Sequence, residues 1–195
     1  MTTAVNSPPS HTILSPKTAP LGAVGLPLVV ALAAVAGSLW LSAGMGLKAC
    51  PLCLYQRTFV MGVAAVLEIG VLTAGRHRAA VLMLALPLAV AGFSIAVFHV
   101  FLEWSGKLEC PAGFLGIATA PHQSLAVFTL LLAATVLGLV WSWDALESWW
   151  PALLGPVLGL LLAWGAVASA PPMPQAPAKA YEAPLDMCRP PFHSQ

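Results

Sequence analysis

Charged side chains divide this chain into long apolar stretches separated by short polar ones. None occurs between Lys17 and Lys48, and the apolar part, about 21–45, is long enough to cross a hydrocarbon layer with tilt. From 58 to 75 only Glu68 is charged, which marks a second, shorter span, and Arg76-His77-Arg78 then forms a tight basic turn. Residues 79–102 make a third span, interrupted by Pro87, which membrane helices tolerate better than soluble ones. A loop at 103–122 follows, then a fourth span at 124–143, an acidic turn at 144–147 and a fifth span at 149–170. The pattern predicts an all-α membrane protein with a helical membrane domain at 21–170. Before it, 1–20 is polar and rich in Pro and Ser, and is expected to be a disordered cytoplasmic segment without a cleavable leader. After it, the Pro- and Ala-rich 171–195 is expected to be a flexible tail, apart from whatever Cys188 ties down.

Composition agrees with this division. Of 195 residues, 59% are hydrophobic and 8% are charged, where a soluble domain carries about 25% charged residues. So little charge cannot coat a soluble surface, and a net charge of +1 argues against nucleic acid as a partner. Trp141, Trp143, Trp149 and Trp150 cluster between spans four and five, as an aromatic belt at a lipid–water boundary would, and Trp40 and Trp104 suit the same role elsewhere. Arg76 and Arg78, in a very short loop, favour a cytoplasmic side for that turn, with Lys17 beside them. The cations opposite, Lys48, Arg57, Lys107, Lys179 and Arg189, are more numerous, but most of the tail lies well past its helix.

The four cysteines, Cys50, Cys53, Cys110 and Cys188, then acquire an address. One pair precedes span two, Cys110 follows span three and Cys188 follows span five, so five spans bring all of them to one side. A helical membrane bundle needs no disulfide staples, which makes reactivity the better reason for these residues. Cys50-Pro51-Leu52-Cys53 can close a small reducible ring, and at a helix start the unpaired amides and the backbone dipole favour a thiolate. Arg57, four residues after Cys53, falls on the same helical face. A guanidinium there lowers a thiol pKa, holds a polar ligand at the membrane edge, or simply snorkels to the interface. Zinc would need a second close ligand pair, and Cys110 and Cys188 are scattered in sequence, so no metal is expected. A thioredoxin-like fold would need strand–helix alternation, which is absent. Glu68, near the basic turn, is expected to pair with Arg76 or Arg78, and 112–121 to lie along the membrane surface.

Cys50-Pro51-Leu52-Cys53-Leu54-Tyr55-Gln56-Arg57, placed at the start of the second membrane helix, resembles the signature of the DsbB family of bacterial disulfide-bond formation proteins. The resemblance runs over spans one to three and on to Cys110, and is much looser after Arg57. It implies a four-helix core with a fifth transmembrane helix added here, in a bacterial inner membrane with the cysteines on the periplasmic side. It also implies a bound quinone, ubiquinone or menaquinone, and oxidation of a DsbA-like periplasmic thioredoxin-fold protein. Carried onto this chain, Cys50 and Cys53 would be the quinone-linked pair, with Cys53 touching the quinone, Arg57 polarising it and His99 near it. Cys110 resembles the first cysteine of the family's second periplasmic loop. The family's fourth cysteine lies in that same loop, whereas this chain has none from Pro111 to Met187, which leaves Cys188 as the candidate partner of Cys110. The expected activity is a relay of thiol–disulfide exchanges ending at quinone. Two rivals remain at this point. One is a membrane thiol reductase resembling vitamin K epoxide reductase-like proteins or transmembrane thiol conduits, the latter of which should carry cysteines within their spans. The other is a non-enzymatic scaffold with structural or metal-binding cysteines.

Overall fold

A computed structural model of the chain describes residues 21–72, 77–146, 148–172 and 180–192. Within them are five α-helices: α1 (Leu21–Ala43), α2 (Pro51–Leu72), α3 (Arg78–Trp104), α4 (Ala120–Trp141) and α5 (Trp150–Ala168). They have 19 to 27 residues each and are apolar enough to cross a membrane, reaching roughly 28–40 Å at about 1.5 Å per residue. This is the all-α, multi-pass architecture that the charge punctuation predicts. The helix bounds differ where a turn residue overrules a charge. α2 begins at Pro51, within the Cys50–Arg57 motif expected to start the second membrane helix and ahead of the apolar stretch at 58, because proline suits the first helical position and Arg57 finds partners inside the bundle. Pro121 likewise starts α4 four residues early.

α1 to α4 form a ring in which α1 packs on α2 and α4, and α3 packs on α2 and α4. α5 lies outside the ring against α3, which is therefore the most enclosed helix. Lipid cannot drive apolar helices together as water does, so close backbone approach has to hold them. Gly138 of α4 sits on the backbone oxygen of Ala23 in α1. On α5, Gly155, Gly159 and Ala163 repeat every four residues and are its buried positions. A Cβ added at Gly155 would meet Leu86 Cδ2 at 2.7 Å, and one at Gly159 would meet Val90 Cβ at 2.6 Å. The outer face of α5, with Leu153, Leu160, Leu161 and Trp164, is exposed as a lipid-facing surface should be.

Trp141, Trp143, Trp149 and Trp150 are all exposed at one end of the bundle, while Trp40 and Trp104 are exposed toward the other. That other end gathers the C-termini of α1, α3 and α5 and the N-termini of α2 and α4, with all four cysteines. The expectations for 1–20, and for Glu68 with Arg76, fall outside the described residues.

Candidate redox site

Cys50 occupies the N-cap position of α2. Its carbonyl accepts the first helical hydrogen bond, from Leu54 N–H at 3.0 Å, and its Sγ accepts the amide of Cys53 at 3.3 Å. The helix start thus directs its free amides at Cys50 rather than Cys53. The two sulfurs lie 3.0 Å apart as thiols, Cys50 buried and Cys53 half-buried. The hydrogen bond with Cys53 does most to hold the Cys50 thiol below its ordinary range; burial opposes it, and His99 and the Cys53 amide add to it.

His99 projects from the last two turns of α3 and is fully buried. Its Nε2 stands 3.8 Å from Cys50 Sγ and 3.7 Å from Cys110 Sγ, so one imidazole nitrogen touches a sulfur of each pair. Its Nδ1 has no hydrogen-bond partner. Leu102, Leu108 and Phe98 pack around the sulfurs and close the cluster.

Cys110 is bonded to Cys188 across 78 residues of sequence. The tail carrying Cys188 is fastened on both sides of it. Glu109 and Arg189 form an antiparallel bridge with reciprocal backbone hydrogen bonds of 2.8 and 3.0 Å, and Arg189 Nε reaches Glu109 Oε1 at 2.7 Å. The Arg189 guanidinium also stacks on Tyr181, 3.8 Å from the ring centre. Before the cysteine, Asp186 accepts Lys48 N–H at 2.8 Å and pairs with Lys48 Nζ at 2.8 Å. Of the tail expected to be flexible, residues 180–192 are therefore docked on the loops, and 173–179 lie outside the described residues. Arg189→Ala removes the less exposed part of this clamp. It should raise the fraction of the Cys110–Cys188 disulfide reduced at a fixed glutathione ratio by about tenfold, the effect of ~1.4 kcal/mol, which quantitative alkylation and mass spectrometry can read.

Arg57 lies one turn below Cys53 and is held by α1. Its Nε donates to Ser38 Oγ at 2.9 Å, and Nη2 donates to the Ser38 carbonyl at 2.9 Å and Ser42 Oγ at 2.7 Å. Neither serine was a sequence candidate, although two hydroxyls one turn apart at the end of an apolar helix were a readable signal. Gln56, buried in the same turn as Arg57, accepts Ser124 Oγ at 2.8 Å, while its Nε2 is unpartnered. The 112–121 segment is folded back by reciprocal hydrogen bonds of Gln123 with Phe114, at 2.7 and 2.8 Å. It leaves Phe114 and Ile117 exposed at its tip.

The family profile described as "Disulfide bond formation protein DsbB" matches residues 22–159. The chain belongs to the DsbB family. It is 31% identical over 110 residues to a "probable disulfide formation protein" of Chlamydia trachomatis, a match covering 51% of this chain and 79% of that protein. It is 36% identical over 77 residues to "Disulfide bond formation protein B 2" of Burkholderia lata, covering 39% of this chain and 45% of that protein. No solved structure matches. The family makes this chain a multi-pass membrane protein of disulfide-bond formation, a disulfide oxidoreductase with a thiol redox partner. The DsbB match stops inside α5, so the small-residue stripe is cut short by it and Cys188 lies beyond it.

Proposed function

We propose that this DsbB-family chain is a thiol oxidase of a bacterial inner membrane, taking electrons from a DsbA-like periplasmic dithiol and passing them to quinone. The observation that carries the reading is the position of His99 Nε2, in contact with one sulfur of each cysteine pair. Two pairs so close are arranged for exchange with each other. Each exchange needs an attacking thiolate and a reachable disulfide sulfur.

In this reading the partner's dithiol reduces Cys110–Cys188 and leaves as a disulfide, having delivered two electrons. The Cys110 thiolate then attacks Cys50 Sγ of the Cys50–Cys53 disulfide, forming Cys50–Cys110 and releasing Cys53 as a thiolate one turn from Arg57. Cys188 attacks Cys110, restores Cys110–Cys188 and leaves Cys50 and Cys53 reduced. Cys50 therefore faces the other pair, and Cys53, the less buried sulfur, faces outward. His99, expected near the quinone, enters this scheme through the sulfurs it touches.

The residues present fit a quinone. Ser38 and Ser42 occupy Nε and Nη2 of Arg57, and no described residue takes the hydrogens of Nη1, which remain to bind a carbonyl oxygen at the membrane edge. Arg57 and Cys53 would hold the ring, and a bound quinone would accept two electrons and two protons from the dithiol. Arg78, which starts α3 at the end opposite the cysteines, supports a periplasmic redox site.

The test is quinone reduction by the purified protein supplied with a reduced thioredoxin-fold dithiol, comparing ubiquinone with menaquinone analogues. Turnover with stoichiometric loss of partner thiols is expected, and none with either quinone overturns the reading. Arg57→Gln should raise the apparent KM for quinone about tenfold or more, the loss of a charge-assisted hydrogen bond. Its KM for the partner dithiol should be unchanged.

A further inference from the structure

We propose that Cys50, Cys53 and His99, in the reduced protein, form a buried binding site for one soft monovalent cation, Cu+. The sequence argued against metal because the cysteines are scattered, and folding removes that objection. The donor atoms of Cys50, Cys53 and His99 lie within 4.8 Å of one another, as do those of His99, Cys110 and Cys188, and neither set contains a carboxylate. Two thiolates and an imidazole are soft ligands, which select Cu+ over the hard cations.

Distances say how much must move. With metal–sulfur bonds of about 2.3 Å and metal–nitrogen bonds of about 2.0 Å, a shared ion holds its sulfur and nitrogen donors about 3.5–3.8 Å apart. Cys50 Sγ and His99 Nε2 already stand 3.8 Å apart. The two sulfurs, 3.0 Å apart, need to separate by somewhat under ~1 Å for the same bonds. A rotation of the half-buried Cys53 side chain supplies that.

Three donors choose between ions. Zinc in a closed protein site takes four ligands. While Cys110 and Cys188 are bonded to each other, no fourth thiolate is offered here. Cu+ is satisfied by three ligands in a plane. His99 contributes through Nε2 as a neutral imidazole with its hydrogen on Nδ1, and the bound thiols give up their protons to solvent. Because both donor sets share the one Nε2, the expected capacity through His99 is one ion per chain, even when all four cysteines are reduced. Binding does not depend on the oxidase reading. Its consequence does: an ion on Cys50 and Cys53 withholds both sulfurs from exchange and arrests the relay in its reduced form.

The experiment is an anaerobic Cu+ titration, against a chromophoric Cu+ chelator, of the full-length protein in detergent poised with Cys50 and Cys53 reduced and Cys110–Cys188 still bonded. One Cu+ per chain is expected, lost in Cys50→Ser and in Cys53→Ser, and bound at least tenfold more weakly by His99→Ala. Wild-type affinity in His99→Ala would reduce the site to a plain dithiol and overturn the proposal. X-ray absorption of the wild-type complex gives a second reading that needs no variant. Two sulfur neighbours and one nitrogen support the site, and sulfur neighbours alone refute it. If Cu+ binds in this manner to a protein that reduces no quinone, the site stands and the oxidase reading falls.

Discussion

Cys53→Ser is expected to abolish quinone reduction and to let a Cys50–Cys110 disulfide be captured when alkylating reagent is present. Without Cys53, Cys50 cannot close its ring and stays a thiol, beside the amide at its helix start and His99 Nε2. The sulfur on the far side of His99 Nε2 is Cys110, 3.7 Å from that nitrogen. Attack there releases Cys188, whose return attack on Cys110 restores the starting bond, so the crosslink is held by alkylating Cys188 as it is freed. Peptide mapping under non-reducing conditions should recover the 50–110 crosslink with Cys188 alkylated. A predominant 50–188 crosslink would mean that His99 does not mark the route of exchange. Turnover itself should fall to background, because serine offers neither a thiolate nor a disulfide sulfur.

The second large effect is expected from the outer helix. Gly159→Val should unseat α5 from α3. The added Cβ would lie 2.6 Å from Val90 Cβ and 2.7 Å from the Pro87 carbonyl oxygen, and the latter is backbone that cannot turn aside. Overpacking of this kind costs about 1–3 kcal/mol, sometimes more. Gly165→Val is the control on the same helix, since a Cβ there meets nothing within 4 Å. Thermal unfolding in detergent should separate the two variants clearly. In the valine variant at 159 a larger fraction of Cys110 and Cys188 should also be alkylated, because α5 leads to the tail that carries Cys188. Equal melting of the two variants would show that α5 is not held by the small-residue stripe.

Much of the fold was legible because charge is so scarce here that each occurrence marks an end. Lys48, the Arg76–Arg78 turn and the 144–147 turn separate helices that the structure places within a few residues of those marks. Arg57 interrupts the apolar stretch of α2 without ending the helix, since a cation beside Ser38 and Ser42 no longer signals water. The common side of the cysteines followed from counting spans. The strap did not, because Glu109 with Arg189 and Lys48 with Asp186 pair residues far apart in sequence with no periodicity to betray them. His99 was legible as a polar residue at the end of an apolar span. Its position between the two pairs depends on how α2 and α3 pack, which no local pattern records.

The bond between Cys110 and Cys188 closes a covalent circle that contains α4 and α5 whole. In its oxidised form this part of the molecule is topologically a ring, and its reduced form is an open thread. A relay that breaks and remakes that bond would therefore change the connectivity of the protein in every cycle. During the open phase, the packing of α4 on α1 and α3, the glycine seam of α5 along α3 and the polar clasp at Glu109 and Asp186 would keep the thread in the shape of the ring. Those contacts preserve the geometry needed for the two sulfurs to find each other again.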